Sequence, residues 1–239
     1  STVYRGRTEI HSESDVDVRN LSLIALEESV GDLIVWIERG ENRGLNYMSL
    51  RDGAISPVMI GDKRAGAAST IIDPYTGTLV GLEYGGEWDE QVFLIPELGQ
   101  AKDAIEAAMP GKHLTISSWT ADRNKIAIAL AEPGRPADYF VYDATAGTMG
   151  SIGSAGSHLV NRPVGNVISI SYEARDGLTI PGFVTLPPGK NLDDGPFPLI
   201  VLPHGGPAAH DTAAFDWWSG AYAEAGYAVL RPNFRGSTG

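Results

Sequence analysis

The sequence predicts two architectures in succession: an all-β region of partial β-propeller blades, then the start of an α/β domain. Two observations support this prediction. Short apolar runs recur at intervals of 46 residues through the first two thirds of the chain. After about residue 165 the pattern changes to an apolar run, a helical stretch and a second apolar run, which is typical of a parallel strand–helix–strand crossover.

The composition excludes several classes of protein. Hydrophobic residues make up 43% of the 239 residues, which is enough to bury a core. Lys plus Arg number 18 against 30 Asp plus Glu, so the net charge is −12. Nucleic acids and anionic membranes bind proteins with a surplus of cations, and we expect neither as a partner. The sequence has no cysteine, which excludes disulfides, a thiol nucleophile and thiolate metal ligands. We expect no cofactor.

The two ends of the sequence suggest a piece of a longer protein. No signal-peptide pattern follows Ser1, and no apolar run is long enough to span a bilayer. The compartment is left open between cytoplasm and periplasm. The chain stops at Gly239, soon after the apolar run Tyr227–Leu230, whereas natural termini more often trail into polar residues. We therefore expect an internal segment, with a complete small protein as the alternative.

The 46-residue interval connects three similar segments. Ile34, Val80 and Ile126 occupy corresponding positions, and Tyr47 and Phe93 are also 46 residues apart in the strands that follow. Each segment reads as a turn, a short apolar strand, a polar loop and a second apolar strand. Propeller blades of about 40–50 residues have this layout. An ordinary antiparallel sandwich with similarly spaced hairpins is the alternative.

Two stretches interrupt or end the β pattern. Gln100–Met109 is rich in helix-forming residues and is followed by Pro110-Gly111, so we predict a short helix in which Ile105 and Met109 are packing residues. Ser151–Ser157 consists mostly of small residues and has the composition of a linker. We therefore predict the last blades in residues 1–155 and the α/β domain in residues 165–239.

The α/β region is predicted to begin with a hairpin. Val167–Tyr172 and Ile180–Leu186 are apolar strands, and Asp176-Gly177 between them is a strong turn signal. Leu199–Leu202 shows no alternation of apolar and polar residues, which predicts a strand buried on both faces.

A helix and a further strand follow in this prediction. We predict the helix over residues 213–225, stopped by Gly226, and a buried strand at Ala228–Leu230. Phe215, Trp218 and Tyr222 fall at helical spacing, and we expect them to pack the helix onto the sheet.

The segment that joins strand to helix contains His204, Gly205, Gly206 and Pro207. Two glycines allow a sharp turn and a close backbone approach to a ligand. In α/β-hydrolases a His-Gly-Gly loop at this place supplies one backbone N–H to the oxyanion that forms during acyl transfer. A plain glycine turn at the end of a strand is the alternative. We expect His204 to orient the loop and not to act as the general base.

The rest of such a catalytic set is missing from the sequence. No serine has glycine at both −2 and +2, as a nucleophile elbow requires, and the serine, aspartate and histidine are therefore expected beyond Gly239. His204, His210 and Asp211 could be metal ligands, but no further ligand completes a set, and we predict no metal site. The remaining histidines stand alone and are expected to be surface or structural residues, namely His11, His113 and His158.

Taken together, the motifs of residues 165–239 resemble the prolyl oligopeptidase family of serine peptidases, on its acylaminoacyl-peptidase-like branch. The resemblance implies a propeller that gates an α/β-hydrolase and hydrolysis of short peptides by a serine. It implies Gly206 as an oxyanion-hole donor, with Gly205 and His204 as supporting residues, and Asn233 and Arg235 as structural elements beside the site. The motifs that carry the resemblance are Arg175-Asp176-Gly177, Leu186-Pro187-Pro188-Gly189, Pro198 to Pro207, Gly226 to Leu230 and Arg231 to Gly239.

These observations predict part of a serine peptidase that acts on peptides and needs the rest of its own polypeptide as a partner. A non-catalytic propeller-type binding module is one alternative. An esterase or amidase on the same fold is another, because the same loop serves any acyl transfer.

Overall fold

The computed structural model describes residues 2–5, 8–12, 21–26, 32–37, 43–60, 63–64, 69–159, 162, 164–206 and 208–238. Pro207 of the glycine motif and the terminal residues Ser1 and Gly239 lie outside the described residues, as does the side chain of His11. The chain divides into two compact units. The first comprises Ser1–Tyr84 and Val92–Ile95, and the second comprises Gly85–Gln91 and Pro96–Gly239.

The first unit consists of short antiparallel strands. A four-stranded sheet has the order β3-β4-β5-β6, a three-stranded sheet has the order β11-β10-β9, and two hairpins pair β1 with β2 and β7 with β8. The strands are β1 Thr2–Arg5, β2 Thr8–Ser12, β3 Leu21–Leu26, β4 Leu33–Ile37, β5 Gly44–Met48, β6 Ile55–Pro57, β7 Met59–Ile60, β8 Lys63–Arg64, β9 Ser69–Ile72, β10 Leu79–Tyr84 and β11 Glu90–Phe93.

The 46-residue interval corresponds to a structural repeat. Ile34, Val80 and Ile126 each lie in the second strand of a sheet, and all three are fully buried. Tyr47 is directly opposite Ile34 across the β4–β5 pair. The sequence pattern missed the first strand of each sheet, because those strands are less uniformly apolar and each of them contains exposed residues.

The predicted helix is confirmed and is longer than expected. Helix α1 runs over Pro96–Ala108, four residues earlier than the composition indicated. Proline is favoured at the first helical position because its missing N–H has no helical partner there. The helix buries Leu98, Ala101 and Ile105 at helical spacing, which confirms the packing role of Ile105. Met109 follows the helix and is half-buried.

The next sheet is a complete four-stranded antiparallel meander, and it corrects the linker prediction. Its order is β12-β13-β14-β15, with strands β12 His113–Trp119, β13 Lys125–Glu132, β14 Arg135–Asp143 and β15 Thr148–Ser154. Most of Ser151–Ser157 is therefore not a linker. Ser151, Ile152, Gly153 and Ser154 belong to the outer strand, where backbone pairing with β14 decides the conformation. The domain division between residues 155 and 165 stays a prediction.

The last sheet has the order β16-β17-β19-β18. The predicted hairpin is confirmed, with the Asp176-Gly177 turn between its two strands. β18 and β19 are parallel, as the crossover predicts, whereas β17 and β19 are antiparallel. The elements are β16 Val167–Glu173, β17 Thr179–Thr185, β18 Leu199–Val201, α2 Trp217–Glu224 and β19 Ala228–Pro232.

The expectation that Leu199–Leu202 is buried on both faces is wrong for this chain. β18 lies at the edge of the sheet, and Leu199 and Val201 are 58% and 55% exposed. Ala228–Leu230 lies in β19, an inner strand, and Val229 is fully buried. An apolar run indicates a strand that can be covered on both faces, but its neighbours decide whether it is.

The aromatic stripe also differs from its prediction. The Asp216 side chain accepts a hydrogen bond from the Ser219 N–H, so α2 begins at Trp217 and Phe215 precedes it. The helix turns Ser219 and Ala223 inward, and Trp218 and Tyr222 are 47% and 41% exposed. Gly226 follows the helix with a positive φ of 95°, as its predicted role as a stop requires.

Antiparallel blade-like sheets followed by a parallel strand–helix–strand unit agree with the predicted fold class. Within the described part of the chain, no helix combines the length and the apolar character that crossing a membrane requires.

Candidate functional site

Gly206 lies in the loop that leaves the carboxyl end of β18 and leads to α2. Its backbone has a φ of 132°, which side chains other than glycine rarely adopt. A Cβ at this position would lie 2.9 Å from the Ala208 nitrogen and 3.2 Å from the Ala209 nitrogen. Gly206 is exposed, and its N–H has no acceptor among the residues that the structure describes. Among the described residues the geometry thus leaves this backbone donor without a partner, on a turn in which Gly206 closely approaches Ala208 and Ala209.

Both ring nitrogens of His204 have hydrogen-bond partners. Nδ1 lies 2.8 Å from the Gly205 carbonyl oxygen, and Nε2 lies 2.8 Å from the Ser237 Oγ. In a neutral ring the carbonyl can only accept, so Nδ1 carries the proton and the Ser237 hydroxyl donates to Nε2. The imidazole also stacks on Phe234, with 4.5 Å between ring centroids. These contacts hold the start of the glycine turn against the chain that follows β19.

Ser237 was missed as a partner of His204 by the sequence analysis. A serine that donates to a histidine, which is itself oriented by a third group, has the arrangement of a nucleophile and its base. Ser237, however, lies in a turn in which its N–H donates to the Phe234 carbonyl at 2.9 Å, and not at a strand-to-helix elbow. We interpret the pair as a tether for the loop.

The loop after Gly206 is held by two side chains around β19. Asn233 accepts a hydrogen bond from the Asp211 N–H at 2.7 Å and donates to the Asp211 carbonyl at 3.0 Å. Arg231, on β19 and buried, pairs with the Asp211 carboxylate at 3.3 Å and donates to the Thr212 carbonyl at 3.1 Å. The resemblance implied a structural role for Asn233. In the structure this role consists of two hydrogen bonds between its side chain and the backbone of Asp211.

The three residues considered as metal ligands contact separate partners. His204 bonds to Ser237, Asp211 pairs with Arg231, and the two nitrogens of His210 face Thr238 Oγ1 at 3.1 Å and Asp89 Oδ1 at 2.8 Å. No cluster of three potential ligands occurs in the described ranges. The observed role of His210 is to connect two segments that are far apart in the sequence.

Comparison with known proteins gives relatives of one kind, although no family model matches. A dipeptidyl aminopeptidase BIII from Pseudoxanthomonas mexicana is 32% identical over 187 residues, which cover 76% of this chain and 27% of the relative. The chain belongs to the prolyl oligopeptidase family. It spans about a quarter of the length of the curated relatives that it matches.

Solved structures agree with this family fold. A puromycin hydrolase superposes with a TM-score of 0.59 at 20% identity, over 92% of this chain and 34% of that chain. Pyrococcus horikoshii acylaminoacyl peptidase superposes with a TM-score of 0.53 at 17% identity, over 100% of this chain and 36% of that chain. The prediction of propeller blades followed by the start of an α/β-hydrolase is therefore confirmed.

In this member of the prolyl oligopeptidase family, a cleft of about 360 Å³ lies beside the residues that hold the glycine loop. Its lining includes the apolar side chains of Ile180 and Phe183 and the polar side chains of His210, Ser237 and Thr238. The cleft therefore offers an apolar surface beside hydrogen-bonding groups, which is the usual lining of a small-ligand site.

Arg235, one of the residues that line this cleft, forms a surface ion pair. Arg235 binds Asp176, in the turn between β16 and β17, and this guanidinium holds the pKa of the Asp176 carboxyl below its usual value. The Leu178 N–H contributes in the same direction. The pair joins the hairpin to the segment that carries Ser237.

Proposed function

We propose that the chain forms part of a serine peptidase that hydrolyses short peptides or related amides through an acyl-enzyme. The Gly206 N–H would be one donor of its oxyanion hole, with Gly205 and His204 supporting the turn. The observation that carries this proposal is the exposed N–H of Gly206, which has no acceptor among the described residues and lies on a turn at the carboxyl end of a parallel strand. The 32% identity to a dipeptidyl aminopeptidase supports hydrolysis of peptide bonds.

The proposed chemistry places a specific demand on this turn. When a serine oxygen adds to the carbonyl carbon of the substrate, the carbonyl oxygen becomes an anion. A backbone N–H stabilises that anion most when it already points at the oxygen and need not reorganise. The close approach of Gly206 to Ala208 and Ala209, which leaves no room for a Cβ, supports such preorganisation. The serine, aspartate and histidine would come from the remainder of the same polypeptide.

The exposed edge of the last sheet supports the proposal that the rest of the polypeptide completes the hydrolase domain. β18 has one strand neighbour, and its Leu199 and Val201 side chains are largely exposed. A further strand beside β18 would satisfy its free backbone groups and cover these side chains. We propose that the rest of the hydrolase sheet pairs at this edge, and that residues 1–155 and 165–239 contribute to separate domains.

The test compares two neighbouring glycines in the full-length protein that contains this chain. Gly206→Ala adds a methyl group that collides with the Ala208 nitrogen and disturbs a left-handed backbone. We expect kcat for Ala-Ala-p-nitroanilide to fall by a factor of order 10²–10³, the usual effect of losing one oxyanion donor. Gly205→Ala adds the same methyl group where nothing lies within 4 Å, and a clearly smaller loss is expected.

A serine-directed fluorophosphonate probe completes the test. We expect the full-length protein to be labelled, its Ser237→Ala variant to be labelled equally, and the 239-residue chain alone to remain unlabelled. Labelling that disappears in Ser237→Ala would make Ser237 the nucleophile. Absence of labelling in the folded full-length protein would favour a non-catalytic binding module. Turnover of p-nitrophenyl acetate without any amide hydrolysis would favour an esterase.

A further inference from the structure

The segment Gly85–Gln91 follows β10 in the sequence, includes the first two residues of β11 and belongs to the second compact unit. Its Trp88 packs against the buried cluster of Val167, Phe183 and Ala213. The other contact of this indole is a stack on His113, with 3.8 Å between centroids and 9° between the ring planes. An aromatic side chain with contacts on both sides fixes the position of the short segment that carries it.

The same segment is anchored at its end by Gln91. The Gln91 amide, which is buried, accepts a hydrogen bond from the Ile116 N–H at 2.8 Å and donates to the Ile116 carbonyl at 3.2 Å. The Gln91 side chain thereby satisfies both the N–H and the carbonyl of Ile116 in β12. Trp88 and Gln91 together make the segment a defined support and not a freely moving loop.

Two polar groups of this support contact the loop that follows Gly206. The Glu87 carbonyl accepts a hydrogen bond from the Ala213 N–H at 2.8 Å. The Asp89 Oδ1 lies 2.8 Å from His210 Nε2, across 121 residues of sequence. The His210 side chain is only 17% exposed, so this carboxylate is a partner for a ring that has little access to water.

A short path leads from His210 to Gly206. Its Nδ1 lies 3.1 Å from Thr238 Oγ1, and the Thr238 N–H donates to the Ala209 carbonyl at 2.9 Å. Ala208 and Ala209 are the residues against which Gly206 is folded. A shift of His210 would therefore move the two residues that hold the free N–H in place.

We propose that Asp89 is a positioning residue for the Gly206 turn and acts through His210. The inference rests on the proposed function of Gly206 as an oxyanion donor. Asp89 does not touch the reacting atoms. Its carboxylate fixes the His210 ring from one side while Thr238 fixes it from the other, and the pair limits the movement of residues 208–213. The carboxylate comes from a segment whose position Trp88 and Gln91 determine.

The experiment uses the full-length protein with p-nitrophenyl acetate as the substrate. We expect Asp89→Ala to lower kcat about tenfold with KM nearly unchanged, a smaller loss than removal of the donor itself, because misplacement weakens the interaction without deleting it. Asp89→Asn keeps an oxygen that can accept from His210 and should restore most of kcat. His210→Ala should match Asp89→Ala, and the double variant should be no worse than either single variant.

The matched control is Glu90→Ala, which removes the same charge from the next residue. Glu90 is exposed, and no side-chain partner is recorded for it in the described part of the chain. It should leave kcat unchanged. Hydrogen–deuterium exchange of residues 208–213 gives a readout independent of catalysis, and Asp89→Ala should raise it while Glu90→Ala should not.

Three results would overturn this inference. Asp89→Ala and Glu90→Ala could have equal effects on kcat and on exchange, or the losses of Asp89→Ala and His210→Ala could add fully. In either case, if Gly206→Ala still lowers kcat, the proposed oxyanion role of Gly206 is unaffected. A Gly206→Ala variant with normal kcat would remove the oxyanion role and the positioning role together.

Discussion

At the residue scale, environment decides what an ion pair contributes, and the chain after β17 offers two contrasting pairs. The Arg231 side chain is 5% exposed and pairs with Asp211, whereas the Arg235 side chain is 63% exposed and pairs with Asp176. Arg231 also donates to the Thr212 carbonyl and lies 5.7 Å from the centre of the Phe183 ring. The buried pair therefore contributes to the loop structure, and the exposed pair is weakened by solvent.

The two arginines give a matched prediction for stability. Arg231→Met leaves the Asp211 carboxylate and two carbonyl groups without their partner, and it should lower the free energy of unfolding by about 3–5 kcal/mol. Arg235→Met should leave the free energy of unfolding nearly unchanged. Urea denaturation of the full-length protein and both variants measures the difference. Equal destabilisation by the two changes would contradict this view of the pairs.

At the element scale, the Gly85–Gln91 segment changes the titration of a strand residue. Partial burial, with the Trp88 ring stacked on its imidazole, lowers the pKa of His113 at the start of β12, and the carboxylates of Glu87 and Glu106 oppose this shift. The lowered pKa means that the unfolded chain binds the proton more readily than the folded one. The contribution of His113 to stability is therefore complete above its ordinary pKa of 6.5 and is lost as the pH falls through the folded value.

This arrangement predicts the response of His113 to loss of its neighbour. Trp88→Ala exposes the imidazole to water, and the pKa of His113 should rise toward its ordinary value. NMR titration of the His113 ring resonances in protein with labelled histidine measures it. Glu90→Ala is the control and should leave the titration curve in place, since no contact of its side chain is recorded in the described part. A His113 pKa that does not move in Trp88→Ala would show that the indole is not the source of the burial.

At the scale of the whole molecule, the last sheet presents an apolar edge. Leu199 and Val201 on β18 are mostly exposed, as is Trp217 at the start of α2. Exposed apolar edge strands pair readily with other chains. The exposed edge strand is β18. Ala228–Leu230 is not at the edge, because it lies in β19, which pairs with β17 on one side and with β18 on the other.

The edge predicts how the 239-residue chain behaves when it is expressed alone. We expect it to self-associate through β18, and Val201→Lys should shift it toward monomer because a charge at a paired edge is costly to bury. Leu192→Lys is the control, since Leu192 is similarly exposed but lies in a short 3₁₀ turn outside any sheet. Light scattering at several concentrations measures the effect. A wild-type chain that stays monomeric at every concentration would rule out the edge as an association site.

Features that depend on a local pattern of residues could be predicted from the sequence. The 46-residue interval located the second strand of three sheets, Asp176-Gly177 located a hairpin turn, and Gly226 located the end of α2. The composition of Gln100–Met109 was sufficient for a helix, although Pro96 began it earlier. The glycine motif located the candidate oxyanion turn. Each of these signals acts over a few neighbouring residues, so it can be recognised without knowledge of the fold.

Features that depend on partners far apart in the sequence became apparent from the folded structure. Ser151–Ser154 became a strand because β14 lies beside it, and Leu199–Val201 became an exposed edge because of its place in the sheet order. The contacts of Asp89 with His210 and of Asn233 with Asp211 join segments whose sequences contain no mark of each other. Hydrogen bonds and burial are properties of pairs of residues, and a single sequence does not specify which distant pairs the fold brings together.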